Sequence, residues 1–185
     1  MLNVLLAEAP DNVRNILTFF HPTPGLLVDL TFGKGALSSR LPEGWQLVGL
    51  DIAGAPADVL SSWVAVPLLD DCADVVLYDP PYLIEGTSFV LHNRLDTEWL
   101  PRHSSGAHLN HYQACSEAFR VLKPGGLFIA KIQNCRSKGT LIEHDVNVRA
   151  CVSQLGILRE VIVYVRLATG IFQNRRTPQQ AYGFY

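Results

Sequence analysis

The chain has 185 residues, 48% of them hydrophobic, with a net charge of −2 and a mean hydropathy of +0.15. That length carries one domain with a substantial core and leaves no room for two comfortable ones. No run approaches the roughly 18–20 apolar residues of a membrane span. The apolar start Met1–Ala7 lacks a basic residue and is broken at Glu8, so no signal peptide is expected.

Cys72, Cys115, Cys135 and Cys151 are scattered, with no CxxC pair, which excludes a zinc knuckle or a disulfide frame and suits a reducing cytoplasm. There is also no Pro-Cys dipeptide to supply the nucleophile of a covalent cytosine C5 methylation. The net charge hides an asymmetry. Residues 1–85 hold 3 Lys/Arg against 11 Asp/Glu, and residues 86–185 hold 12 against 6. An acidic half suits a cationic ligand and a basic half suits phosphates.

Pro10-Asp11 predicts a helix over Asn12–Phe20, with Asp11 as N-cap and Val13, Ile16, Leu17 and Phe20 as its apolar face. It breaks at His21-Pro22-Thr23-Pro24-Gly25. Leu26–Leu37 then reads as a strand ending at Asp29, a turn with Gly33 and Gly35, and a helix continuing to about Leu41. The two glycines let a ligand approach the backbone closely. The pattern is G-x-G only, and Lys34 is followed by Gly35 rather than Ser or Thr, so a phosphate-binding P-loop is not expected.

Trp45–Ile52 is a second strand ending in an acid. Asp51 lies 16 residues beyond Gly35, near the spacing of ribose-binding acids in dinucleotide folds, where a carboxylate accepts from two hydroxyls. Ile52 would then lie against an adenine ring. Val75-Val76-Leu77-Tyr78 is a buried parallel strand by its apolar run, and it leads directly into Asp79-Pro80-Pro81-Tyr82. Two prolines stop strand and helix alike. They leave a carboxylate, a rigid carbonyl and an aromatic ring at the strand's carboxyl end, a set suited to gripping the exocyclic amine of a planar base.

From Leu83 to Tyr112 little periodicity is visible, and basic and aromatic residues interleave: His92, Arg94, Trp99, Arg102, His103, His108 and His111. A loop of this length is usually functional or disordered, and its composition suits phosphate contact by charge and base contact by stacking. No Cys or Glu set accompanies the histidines, so no metal is expected. A helix over Ala107–Leu122 closes at Lys123-Pro124-Gly125-Gly126, and a strand over Leu127–Ile132 ends in Gln133-Asn134, within reach of a substrate. A helix over Leu141–Leu155, a strand over Ile157–Leu167, a basic hairpin loop with Arg175-Arg176 and a last strand over Ala181–Tyr185 complete the chain. The two arginines look like a phosphate clamp.

Asp79-Pro80-Pro81-Tyr82 resembles motif IV of the S-adenosylmethionine-dependent amino-methyltransferases that act on adenine N6 or cytosine N4. Asp29 through Gly35 is similar to motif I of that family. Leu30-Thr31-Phe32 stands where the family often carries Pro-Phe or Pro-Thr. Ala57-Asp58-Val59-Leu60 resembles motif III, and the Arg120–Leu127 stretch resembles a sequence common across class I methyltransferases. The resemblance covers nearly the whole chain and implies a single Rossmann-like α/β domain over residues 1–185, in three layers, with a seven-stranded sheet whose last strand is antiparallel.

It implies S-adenosyl-L-methionine as cofactor, held by Asp29, Thr31, Phe32, Gly33, Gly35, Asp51, Ile52 and Asp58. Asp79, Pro80, Pro81 and Tyr82 would be the catalytic set. Arg94, Arg102, Arg175 and Arg176 are expected on a nucleic-acid substrate, with residues 83–112 as the target-binding loop. DNA adenine N6 is the expected target. The alternatives are an RNA base, a non-catalytic partner subunit and, behind these, methylation of a small molecule. No separate target-recognition domain is left over, so a homodimer or partner subunit is open.

Overall fold

The structure, a computed structural model, describes residues 2–5, 9–52, 56–80, 104–137, 140–164 and 180–184. Its centre is a run of parallel strands: β2 (Leu26–Asp29), β3 (Gln46–Asp51), β4 (Val59–Leu60), β5 (Ala73–Tyr78) and β6 (Leu122–Gln133), ordered β6-β5-β2-β3-β4. Beyond β6 the sheet continues through β10 (Gln180–Phe184), β9 (Glu160–Tyr164) and β1 (Leu2–Leu5). β10 runs antiparallel to both β6 and β9, and β1 runs parallel to β9. Among the described residues eight strands share the sheet, where seven were expected from the sequence. The addition is β1, a four-residue apolar segment that becomes a strand by pairing with β9, some 160 residues away.

Side-chain alternation along the central strands builds two cores. Val75 and Leu77 of β5, Leu27 of β2, and Leu127 and Ile129 of β6 face helix α1 (Ala9–Phe20) through Val13, Ile16 and Leu17. Val76, Tyr78, Phe128, Ala130 and Ile132 face the opposite way, against helices α2 (Ser104–Val121) and α3 (His144–Val152). Three layers result. Each fully buried Leu or Ile is worth about 1.5–3 kcal/mol by area, so β5 and β6, buried on both faces, anchor the sheet.

Several boundaries differ from the sequence expectation. α1 begins at Ala9, so Asp11 lies within its first turn rather than capping it, and its carboxylate pairs with Arg40 at 2.8 Å. Pro10 is tolerated there because first-turn amides have no intrahelical acceptor. The helix expected up to Leu41 does not form; residues 33–41 are turns and bends. Gly33 and Gly35 hold φ of 56° and 69°, Ser39 spends its hydroxyl on the Ala36 carbonyl, and Pro42 follows. The six residues between Gly35 and Pro42 are too few to offset helix nucleation.

The stretch expected to be an irregular loop up to Tyr112 is helical from Ser104, three residues before the predicted start at Ala107. The helix expected over Leu141–Leu155 forms in shortened bounds as α3, His144–Val152, and a short hairpin, β7 (Cys135–Ser137) with β8 (Thr140–Ile142), precedes it. Lys123–Gly126 forms an irregularity at the start of β6, where the β5 pairing register shifts and Gly125 takes φ of 78°. Arg120 ties this region together by donating to Glu117, Asp70 and the Val66 and Leu68 carbonyls. No described helix is long and apolar enough to cross a membrane.

Candidate active site

Strand order reverses between β2 and β5: the chain builds outward through β3 and β4, then returns to place β5 on the other side of β2. Ligands in open α/β sheets bind in the crevice at the strand carboxyl ends beside such a reversal. Asp29 ends β2, Asp51 ends β3 and Asp79 follows β5, so three acids from three neighbouring strands meet at that edge.

Their environments differ. Asp29 is 1% exposed, and its oxygens accept from the Thr31 amide at 3.1 Å and the Ser38 hydroxyl at 3.1 Å. Burial raises its pKa from 3.8 to about 7. The two hydrogen bonds oppose that shift, and the charges of Asp79 and Asp51 add to it. Asp51 accepts from the Gly33 amide at 2.8 Å and so holds the glycine turn. Asp58 accepts from the Gly49 amide at 2.8 Å, and its own amide donates to the Gly49 carbonyl at 2.9 Å, which fastens it to β3. Ile52 follows Asp51 and is partly exposed.

The glycine turn is built around Phe32. Its amide donates to the Leu50 carbonyl at 2.9 Å, and its ring lies over Gly35 and Gly49. A Cβ at Gly49 would stand 2.5 Å from ring carbons, and one at Gly35 would stand 2.6 Å away. Gly33, by contrast, is exposed, and a Cβ there would meet only the Thr31 carbonyl at 3.9 Å. The open face of the turn therefore lies at Gly33. Thr31 joins the two signature segments: its hydroxyl accepts from the Asp79 amide at 2.7 Å.

Asp79 carries a partner the sequence reading did not name. Lys131, near the carboxyl end of β6 and 9% exposed, places its ammonium 2.8 Å from Asp79 Oδ1 and 2.7 Å from Oδ2. The alternation of β6 puts Lys131 on the same face as Leu127 and Ile129. A lysine at a core-facing position of an apolar strand was the available signal, because a buried ammonium requires a counter-charge.

Beneath the site, on the opposite sheet face, Tyr78, His111 and His144 form a buried chain. The Tyr78 hydroxyl stands 3.0 Å from His111 Nδ1, and His111 Nε2 stands 3.1 Å from His144 Nδ1. Burial pushes the Tyr78 phenol well above its ordinary range, so it remains a donor. His111, expected on a nucleic-acid loop, is instead a core residue joining β5 to α2 and α3. Asn134, expected near a substrate, accepts from the Asp145 amide at 3.1 Å in the first turn of α3. Pro80 is buried at the end of the site. Pro81, Tyr82, Arg94, Arg102, Arg175 and Arg176 lie outside the described residues.

No family model matches the chain, and no curated protein does. Solved structures do. A SAM-dependent methyltransferase from Methanosarcina mazei superposes with a TM-score of 0.58 over 91% of this chain and 95% of its own, at 12% identity. A geranyl diphosphate methyltransferase in complex with GPP and sinefungin gives 0.59 over 94% and 77%, also at 12% identity. The 16S rRNA (adenine(1408)-N(1))-methyltransferase from Catenulisporales acidiphilia gives 0.51 over 97% and 94%, at 17% identity. The chain has the methyltransferase-like α/β fold.

Proposed function

We propose that this protein is an S-adenosylmethionine-dependent methyltransferase acting on an exocyclic amine of a nucleobase, with adenine N6 in DNA as the target. The observation that carries the reading is the link between the two signature segments: the Thr31 hydroxyl accepts the Asp79 amide, which ties Asp79 directly to the segment leading into the glycine turn. Three acids meeting at one edge suit a ligand bearing a sulfonium and an ammonium; burial chiefly raises the Asp29 pKa, and the charges of Asp79 and Asp51 add to it. The open face at Gly33 admits the methionine moiety, Asp51 takes the ribose hydroxyls, and Ile52 and Asp58 flank the adenine.

When bound, the cofactor supplies an electrophilic methyl group. Asp79 and the Pro80 carbonyl accept the two hydrogens of the target amine and draw its lone pair out of conjugation toward that methyl. Displacement would be direct: the N–C bond would form as the C–S bond breaks, the sulfur leaving with that electron pair as a neutral thioether and the amine's proton passing to solvent. In duplex DNA the base is first flipped out, and Tyr82 stacks on it. Arg94, Arg102, Arg175 and Arg176 supply phosphate contacts.

Methyl-labelled cofactor offered side by side with unmethylated genomic DNA and unmodified RNA tests this reading. Digestion to nucleosides and mass identification should yield N6-methyldeoxyadenosine. A methylated guanine, or no methylated base from either polymer, overturns it.

A further inference from the structure

Lys131 has a consequence for which base the site takes, resting on the nucleobase-amine reading above. Its ammonium and the Asp79 carboxylate stand 2.7–2.8 Å apart at the carboxyl edge of β5 and β6, largely sheltered from solvent. The site therefore presents a hydrogen-bond acceptor and a strong donor side by side. The ammonium engages both oxygens of the carboxylate, and an incoming amine that takes over one of these contacts releases a lysine N–H.

A single exchange preserves the hydrogen bonding. The amine N–H replaces the lysine on one Asp79 oxygen, and the lysine N–H thereby released turns to an acceptor immediately beside the amine. Leaving that released donor unmatched in a closed site carries the full desolvation cost. Adenine and cytosine meet the requirement on their Watson–Crick edges, where the amine neighbours an unprotonated ring nitrogen, N1 or N3. Guanine does not on that edge: its amine neighbours N1–H there, which would set a donor against an ammonium, and its adjacent acceptor, N3, lies on the sugar side. We propose that Lys131 is a specificity-determining residue that donates to the ring nitrogen adjacent to the methylated amine, selecting bases with an amine-and-acceptor Watson–Crick edge.

Single-atom analogues test this. Random-sequence oligodeoxynucleotides carrying adenine, 1-deazaadenine or 7-deazaadenine are methylated by the wild-type protein and by Lys131→Met, and kcat/KM is compared. The wild type should lose roughly ten- to hundredfold on 1-deazaadenine, which lacks N1, in line with one base-edge contact. It should treat 7-deazaadenine within a few-fold of adenine. Lys131→Met should be slower on adenine and should no longer distinguish it from 1-deazaadenine.

A Lys131→Met protein that keeps the wild-type ratio overturns the proposal. So do equal wild-type rates on adenine and 1-deazaadenine, a result that needs no variant to fold. Transfer with unaltered ratios removes Lys131 alone as the reader, whereas no transfer to any base removes the nucleobase reading and this inference with it.

Discussion

Asp51, the last residue of β3, accepts a hydrogen bond from the Gly33 amide at 2.8 Å, so the acid of one strand holds the turn that follows its neighbour. In the proposed site the same carboxylate also receives the ribose. Asp51→Ala loses both, and with a charged acceptor worth about 1.5–3 kcal/mol the affinity for S-adenosylhomocysteine should fall roughly ten- to hundredfold. Titration calorimetry measures this, and an unchanged affinity would remove Asp51 from the cofactor site.

Gly49 makes room for Phe32. Alanine there places a Cβ 2.5 Å from the ring's Cγ and Cδ2, inner atoms that cannot swing away as a chain end would. Gly49→Ala should destabilise the protein by about 1–3 kcal/mol, the usual cost of overpacking. Phe32→Leu in the same chain should return part of that loss, so the two substitutions will not add. Urea denaturation of the single and double variants checks both statements.

Asp29 gives stability a pH slope. Its carboxyl sits at about 7 in the folded protein against an ordinary 3.8, so the folded state holds the proton more tightly than the unfolded chain. The stability this proton contributes is fully present below 3.8, is lost as pH rises, and is gone above about 7. Three units correspond to about 4 kcal/mol. Asp29→Asn should flatten this part of the stability curve and raise stability most above pH 7. A variant with the wild-type slope would place the titrating group elsewhere.

The Tyr78–His111–His144 chain fixes the end of β5 from below. Tyr78→Phe leaves a buried imidazole nitrogen without its hydroxyl and should cost about 1–3 kcal/mol. Thermal unfolding should show the loss, and His111→Leu added to it should not add a further full increment, since the two residues share one network.

What the sequence made legible was local. Val75–Tyr78 could be read as a buried strand, and Asp79-Pro80-Pro81 as its end, because an apolar run meeting two prolines has few other outcomes. Asp29 and Asp51 were placed at strand ends because each closes an apolar run, Asp29 ahead of the glycine turn. What escaped depends on contacts distant in sequence. Lys131 meets Asp79 across 52 residues, and Tyr78 meets His111 across 33. Gly49 owes its role to a ring 17 positions earlier, and β1 exists only against β9. The missing helix after Gly35 was a local error of another kind: Ser38 and Ser39 turn their hydroxyls to Asp29 and to the Ala36 carbonyl, offering that segment an alternative to helix.

Asp79 is the residue on which the account stands. The most direct measurement is single-turnover transfer of labelled methyl to unmethylated DNA by the wild type and by Asp79→Ala, with folding and cofactor binding of both verified by circular dichroism and calorimetry. The account predicts cofactor bound by both and N6-methyladenine from the wild type, with the variant slower by roughly a hundredfold or more. A folded, cofactor-binding Asp79→Ala protein that transfers methyl at the wild-type rate would contradict it.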